Sequence, residues 1–417
     1  MSSYLFEGKK RFDRNGAMEM IISEAREKVI KAGIKLVEAG LISRTWGNVS
    51  CRVNENSYVI TPSGMDYHDL TIEDIVLVNI SNEKYTGKVK PSSEKGIHTE
   101  VYKKFKDITF IIHTHQLNAS VASALDISEI EILPENPILG EKIISGEYGI
   151  SSTRKLRNNI AAALNKTNGK AVIMKNHGAL CFGVDDEDAF KVAFELEMET
   201  NRFLESKYLE LSGTEIFRNN EMIEFAFSIY RRKKTKIRNV QRSRVKFSQR
   251  SEKGILFFDY DDDIISTKQK EYDELLVLEE LAHENIYMAN PRVNYIIHSN
   301  NEFTKAVANL DMEIRPLIDD FAQIVGVKVH TGTLGRFKVK RSIKNVSAIM
   351  IKERGALCFG ENYSDAQAVS IILEKNCKAF TFACLFGNPK FIGRFDSQIM
   401  RYIYTNRYSK LKKGGLL

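Results

Sequence analysis

The 417-residue sequence predicts two tandem mixed α/β units. Three observations carry that expectation. The chain is longer than one compact core usually holds. Helical apolar stripes are interleaved with short β-rich runs, spaced too irregularly for a doubly wound parallel sheet. The chain also repeats itself: Phe110-Ile-Ile-His-Thr-His115 is echoed by Tyr295-Ile-Ile-His-Ser-Asn300, and Asn176-His-Gly-Ala-Leu-Cys-Phe-Gly183 by Glu353-Arg-Gly-Ala-Leu-Cys-Phe-Gly360. The offset is 185 positions at the first landmark and 177 at the second, so the second copy is eight residues shorter between them.

Taken in order, Glu19 to Ala39 carries apolar residues at helical spacing and stops at Gly40. Gly47-Asn48 reads as a turn. Tyr58 to Ile60 and Ile75 to Ile80 are short strands, the former running into the turn Thr61-Pro-Ser-Gly64. Pro91-Ser-Ser-Glu94 opens a helix from about Ser93 to Phe105, with hydroxyls and an acid where exposed helix amides favour them. Thr109 to Thr114 is a strand. Ser152 or Thr153 caps a helix over Leu156 to Leu164, Ala171 to Lys175 is a strand, and a long helix runs from Asp185 towards Leu209. The second copy repeats this ending with a strand over Ala348 to Ile351, then Gly355 to Gly360, then a helix from about Ser364 to Phe386. The expected division is 1–212 for the first unit, 213–253 for a basic linker or peripheral element, and 254–417 for the second unit.

A net charge of +7 suits an anionic small substrate but equally a solvated basic surface. The basic run Arg231-Arg-Lys-Lys-Thr-Lys236, continued by Arg238, Arg242, Arg244 and Lys246, has no accompanying aromatic stacking pattern, so no nucleic-acid partner is expected. No apolar run approaches the roughly 18 to 20 residues of a membrane span, and Met1 to Gly16 is polar, so no membrane partner and a cytoplasmic location are expected. The five cysteines are widely spaced without a CxxC pair, which argues for reduced core residues over disulfides or a zinc knuckle.

The chemistry gathers in the first copy. His113 and His115, two apart at the end of an apolar strand, project from one face and can share a metal. His177 lies at another strand end beside Gly178. A lone histidine is more often a core residue. Three together, with His115 replaced by Asn300 and His177 by Arg354 in the duplicate, point instead to a catalytic zinc with an open position. Glu94 can ligate such a cation or move protons beside it. Gly47-Asn48, Ser63-Gly64 and Ser92-Ser93 are separately turns and caps. Brought together, their amides and hydroxyls would make an anion site.

The segments Gly47-Asn-Val-Ser50, Ile60-Thr-Pro-Ser-Gly64, Pro91-Ser-Ser-Glu94, His113-Thr-His115 and Asn176-His-Gly178 stand in the order seen in the class II aldolase and adducin head family, which the chain resembles over roughly Met18 to Leu211. A degenerate echo covers about Gly254 to Gly387. The resemblance is closest to the L-fuculose phosphate aldolase branch. It implies an α/β/α fold with a mainly antiparallel central sheet in two tandem copies. It also implies one Zn2+ per chain on His113, His115 and His177, with Glu94 beside it as acid and base. A substrate phosphate would rest on Gly47, Asn48, Ser63, Gly64, Ser92 and Ser93. Members of the branch cleave small phosphorylated ketoses to a dihydroxyacetone phosphate-type product and an aldehyde, and place their sites at subunit interfaces, so a homo-oligomer is expected. Ribulose phosphate epimerases and methylthioribulose phosphate dehydratases share the scaffold, though epimerases tend to carry Asp where this chain has Glu94. Adducin-like binding modules share it too, usually without the metal ligands. One departure stands out: the catalytic tyrosine expected after the His pair has no counterpart in Ile130-Glu-Ile-Leu-Pro-Glu-Asn136.

Overall fold

The computed structural model describes residues 14–42, 46–132, 136–234, 243–265, 274–333, 343 and 345–408. Among these, the first copy is built on a nine-stranded sheet. Its strands are β1 (Asn48–Asn54), β2 (Ser57–Ile60), β3 (Val76–Asn79), β4 (Tyr85–Thr86), β5 (Phe110–Thr114), β6 (Glu129–Glu131), β7 (Lys142–Gly146), β8 (Ala171–Met174) and β9 (Gly178–Gly183), ordered β4-β3-β2-β1-β5-β9-β8-β7-β6. Neighbours run antiparallel except β7 beside β8. The sheet is therefore mainly antiparallel and buried on both faces.

The period-2 alternation of a strand explains the layering. Phe110 and Ile112 of β5 join Val49 and Cys51 of β1 in a cluster with Val29 and Leu36 of helix Arg14–Glu38 and Val192 and Leu196 of helix Asp186–Ser212. Ile111 points the other way, into Ile97 and Val101 of helix Lys95–Lys104 and Leu156 and Ile160 of helix Arg154–Leu164. The result is helix, sheet, helix. Helix starts follow their capping residues: Thr153 accepts from the Leu156 amide and Asp185 from the Asp188 amide.

The second copy repeats the plan with β10 (Phe247–Ser251), β11 (Gly254–Phe258), β12 (Ile264–Ile265), β13 (Tyr295–Ser299), β14 (Thr331–Gly332), β15 (Ala348–Ile351) and β16 (Gly355–Gly360). Their order, β12-β11-β10-β13-β16-β15-β14, again has one parallel pair, β14 with β15. The copies share a core. Val121, Leu125, Leu204 and Tyr208 of the first pack with Phe303, Ile318, Phe321, Phe380 and Cys384 of the second.

Three local expectations differ from what is observed. Gly47-Asn48 is not simply a turn, since Asn48 opens β1, a strand whose first four residues are all buried. The helix expected from Ser93 begins at Lys95, with Glu94 just outside it. The segment 213–253 contains helix Asn219–Arg231, which buries Met222, Ile223, Ala226 and Phe227, and strand β10, which pairs with both β11 and β13. Apolar residues clustered on one side of that helix draw it onto helix Tyr363–Leu385, while the basic residues beyond it dominate the composition. Of the basic run, Arg231 donates to the Leu310 carbonyl and Lys246 pairs with Asp262 at 2.6 Å, whereas Lys236, Arg238 and Arg242 lie outside the described residues. All five cysteines are buried and free. No helix among the described residues is long and apolar enough to cross a membrane.

Candidate metal centre and anion pocket

Two strand ends and one hairpin tip converge on one point. His113 lies near the end of β5, on the face that carries Ile111, and His115 follows the strand by one residue. The β8–β9 connection is Lys175-Asn176-His177, with Asn176 at φ 61°, a left-handed conformation that asparagine tolerates. That tight turn lifts His177 over β5. Gly178 cannot be larger, because a Cβ there would stand 2.3 Å from the Thr114 carbonyl oxygen. Gly47 combines φ +119° with an ideal Cβ 2.6 Å from the His113 carbonyl oxygen, so the chain leading into β1 presses directly on the histidine strand.

The three imidazoles meet through their Nε2 atoms: His113 lies 2.9 Å from His115 and 3.1 Å from His177. Glu94 closes the group, Oε2 at 3.2 Å from His113 Nε2 and Oε1 at 3.0 Å from His177 Nε2. The opposite ring nitrogens face acceptors. His113 Nδ1 donates to the Ala179 carbonyl at 2.8 Å, His115 Nδ1 to Asp320 at 2.8 Å, and His177 Nδ1 to Asp319. Each Nδ1 faces an acceptor and carries a proton, so a ring that is neutral presents its Nε2 lone pair to the common point, beside Glu94. Three lone pairs and a carboxylate converging in a buried space repel one another unless a cation or proton sits among them. Three neutral imidazoles and one carboxylate are the donor set of a divalent metal with an open position, and His113, His115 and His177 could hold one.

The electrostatics give His177 a proton in the role a cation would otherwise fill. Burial pushes the Glu94 carboxyl upward, but His177 and His113 outweigh it and hold the group well below the usual carboxylate range. Burial works against charge on His177, yet Asp319 and Glu94 hold its ring well above the ordinary histidine value. His113 is lowered by burial, with Glu94 opposing.

Glu94 is aimed by a buried polar chain. Asn48 Nδ2 donates to Glu94 Oε2 at 3.1 Å, and His98 Nε2 donates to Asn48 Oδ1 at 2.5 Å. His98 Nδ1 then accepts from the Ser50 hydroxyl at 2.7 Å, which lies 2.8 Å from the Tyr102 hydroxyl. Burial pushes the His98 ring down to about 3, so it stays neutral and directional at ordinary pH. Ser151 donates to Glu94 Oε1 at 2.9 Å. The carboxylate expected to serve a helix terminus thus makes no side-chain cap and turns into the histidine cluster.

One pocket opens beside this group, and Gly47, Asn48, Ser63, Gly64, Ser92, Ser93, Glu94, His115 and His177 all line it. His113 lies beneath, fully buried. The residues singled out from the sequence are therefore brought together. Backbone pairing does much of this: the Ser92 amide donates to Thr61 and the Ser63 amide to Lys90, fastening the two serine turns side by side. The same pocket is lined by Trp46, Ser151, Asp320, Gln323 and Tyr404, which sequence reasoning did not find. Asp320, Gln323 and Tyr404 come from the second copy. The available signal was the pair Asp319-Asp320 set between the apolar pairs Leu317-Ile318 and Phe321-Ala322.

The profile describing the class II aldolase and adducin N-terminal domain matches residues 27–200 and again 222–381. A 5-deoxy-D-ribulose 1-phosphate aldolase of Bacillus thuringiensis serovar kurstaki is 30% identical over 189 residues, covering 45% of this chain and 88% of that protein. Among solved structures, an L-fuculose 1-phosphate aldolase aligns with TM-score 0.42 at 29% identity, over 49% of this chain and 94% of its own. An L-fuculose-1-phosphate aldolase from Thermus thermophilus aligns with TM-score 0.39 at 24% identity, over 45% and 97% respectively.

Proposed function

The chain belongs to the class II aldolase and adducin N-terminal domain family, in two tandem copies, and from that premise we propose that its first copy is a zinc-dependent aldolase cleaving a small phosphorylated ketose. The products are a dihydroxyacetone phosphate-type fragment and an aldehyde. The observation that carries this reading is the convergence of His113, His115, His177 and Glu94 in a pocket lined by Asn48, Ser63, Gly64, Ser92 and Ser93. The 5-deoxy-D-ribulose 1-phosphate aldolase relative supports a ketose phosphate as the substrate class.

In this reading the serine hydroxyls and the turn amides around Ser63-Gly64 and Ser92-Ser93 bind the phosphate, with the Asn48 amide beside them. His113, His115 and His177 would hold the zinc, which would supply Lewis-acid polarisation of the substrate. Bond cleavage leaves the electron pair on the carbon next to the carbonyl, and Glu94, held in place by Asn48 and Ser151, would pass to that carbon a proton it has first taken from solvent. In the reverse direction Glu94 removes it. The proton lost from the distal hydroxyl needs a second group. Tyr404, from the end of the second copy, lines the pocket and would accept that proton as its phenolate, standing in for the tyrosine that the first copy lacks over Ile130 to Asn136.

Metal analysis of protein purified without chelator tests the reading: about one zinc per wild-type chain, lost in His177→Ala, together with zinc-dependent cleavage of ketose 1-phosphates. A wild-type chain that takes up no metal on titration removes the electrophile and leaves a binding module of the adducin kind.

A further inference from the structure

We infer that Asp319 and Asp320, both carried by the second copy, are positioning residues that orient His177 and His115 and thereby set the metal affinity of the first copy. The inference rests on the reading that those histidines hold a metal. Each aspartate meets the ring nitrogen that points away from the common centre: Asp320 Oδ2 lies 2.8 Å from His115 Nδ1, and Asp319 accepts from His177 Nδ1. Both carboxylates are 2% exposed, so they bond without competition from solvent. A carboxylate on the distal nitrogen fixes the tautomer, locks the ring about its χ angles and makes the ligating nitrogen more basic. His113 needs no such partner, because the backbone carbonyl of Ala179 already performs the same task.

The helical turn bearing the pair is tied to the histidine turn at several points. The Asp319 amide donates to the Asn176 carbonyl at 2.8 Å, and the Asn176 side chain donates to the Leu317 carbonyl at 2.7 Å. Lys375, buried on helix Tyr363–Leu385, donates to the His115 carbonyl at 2.5 Å and stands 3.9 Å from Asp320 Oδ2. Burying two acids and a lysine is costly unless each meets a well-placed partner. Here the partners are the site histidines themselves. The second copy, whose own counterparts of His115 and His177 are Asn300 and Arg354, has thus kept charged groups whose contacts lie in the first copy's site.

Two other roles for the pair are distinguishable. The aspartates could themselves ligate a metal together with His115, since their oxygens and a His115 nitrogen lie within 4.8 Å of one another. They could also merely clamp the two copies together, as Lys390 and Asp126 do at the surface. The test is zinc competition against a chromophoric chelator for the wild type, Asp319→Asn, Asp320→Asn and the clamp control Asp126→Asn. It is combined with NMR of the 15N-histidine-labelled, zinc-loaded wild type. The expected result is one zinc per wild-type chain and affinity roughly 10- to 100-fold weaker in each Asp319 and Asp320 variant. Asp126→Asn should match the wild type. The spectra should show zinc on Nε2 and a strongly hydrogen-bonded proton on Nδ1 of two ring systems. Unchanged affinity in both variants, two zinc ions per chain, or zinc on Nδ1 of His115 would overturn the inference while leaving the three-histidine site standing. The NMR arm needs no variant to fold. A wild type that binds no zinc overturns the inference and the three-histidine reading together.

Discussion

At the scale of single residues, Glu94 is the group on which chemistry and position meet. Its carboxylate touches two histidines and is aimed by Asn48 and Ser151, so Glu94→Gln keeps the shape but removes the base. Zinc content should stay near one per chain while turnover falls about 10²-fold or more, the range expected for losing a positioned acid–base group. Full turnover in the variant would remove Glu94 from the proton-transfer role. His113, His115, His177 and Glu94 were legible from sequence because short motifs with fixed local spacing carry them. The orientation of Glu94 was not, since it depends on Asn48 and His98, 46 and 50 residues apart from their partners and unremarkable as single letters. Asp319 and Asp320 were harder still, because no sequence pattern in the first copy asks for an acceptor from the second.

At the scale of elements, the two copies keep the same strand-to-helix fastening. Ser50 on β1 joins His98 and Tyr102 on its helix, and Ser248 on β10 joins His283 and Tyr287 at 2.8 and 2.9 Å. The strand arginines Arg52 and Arg250 donate to the Tyr102 and Tyr287 carbonyls in turn. What the second copy lost is the far end of the chain: His283 Nε2 finds no partner among the described residues, where His98 Nε2 meets Asn48. The fastening is therefore structural in both copies and tied to the site in only one. Burial, with His298 nearby, pushes the His283 ring down to about 3. Its folded value lies below its unfolded value of about 6.5, so the unfolded chain takes up the proton first on acidification. Its contribution to stability is present above pH 6.5 and is lost as pH falls towards 3, at up to about 1.4 kcal/mol per pH unit. Urea unfolding between pH 7 and 5 should show a shallower loss of stability for His283→Gln than for the wild type. Parallel slopes would mean that His283 is already charged or exposed. Most helix and strand positions were readable from period and caps, as at Thr153 and Asp185. Strands β6 and β7 and the start of β1 were not, because short runs punctuated by Gly, Ser and Asn look like turns until a neighbouring strand pairs with them.

At the scale of the whole molecule, the duplication has produced one folding unit rather than two beads. A single apolar cluster contains side chains of both copies, with Phe380 fully buried on helix Tyr363–Leu385 and packed against Phe227, Tyr230 and Phe391. Trp46 is the only tryptophan in the chain; it lines the first copy's pocket and also leans on this shared cluster. Its fluorescence therefore reports on the first copy at a point where that copy meets the shared cluster. Phe380→Ala removes a large side chain from the shared core and should cost about 3–5 kcal/mol. If the copies unfold together, the Trp46 transition in urea moves to lower concentration by the same amount as the far-UV circular dichroism transition. If they unfold separately, the Trp46 transition stays at its wild-type midpoint and only the circular dichroism curve splits. The cooperative outcome is the one the structure favours, because the cluster that loses Phe380 contains side chains of both copies. It would also explain why a copy without a complete set of metal ligands persists: the histidines of the first copy are held, from behind, by the core and the aspartates of the second.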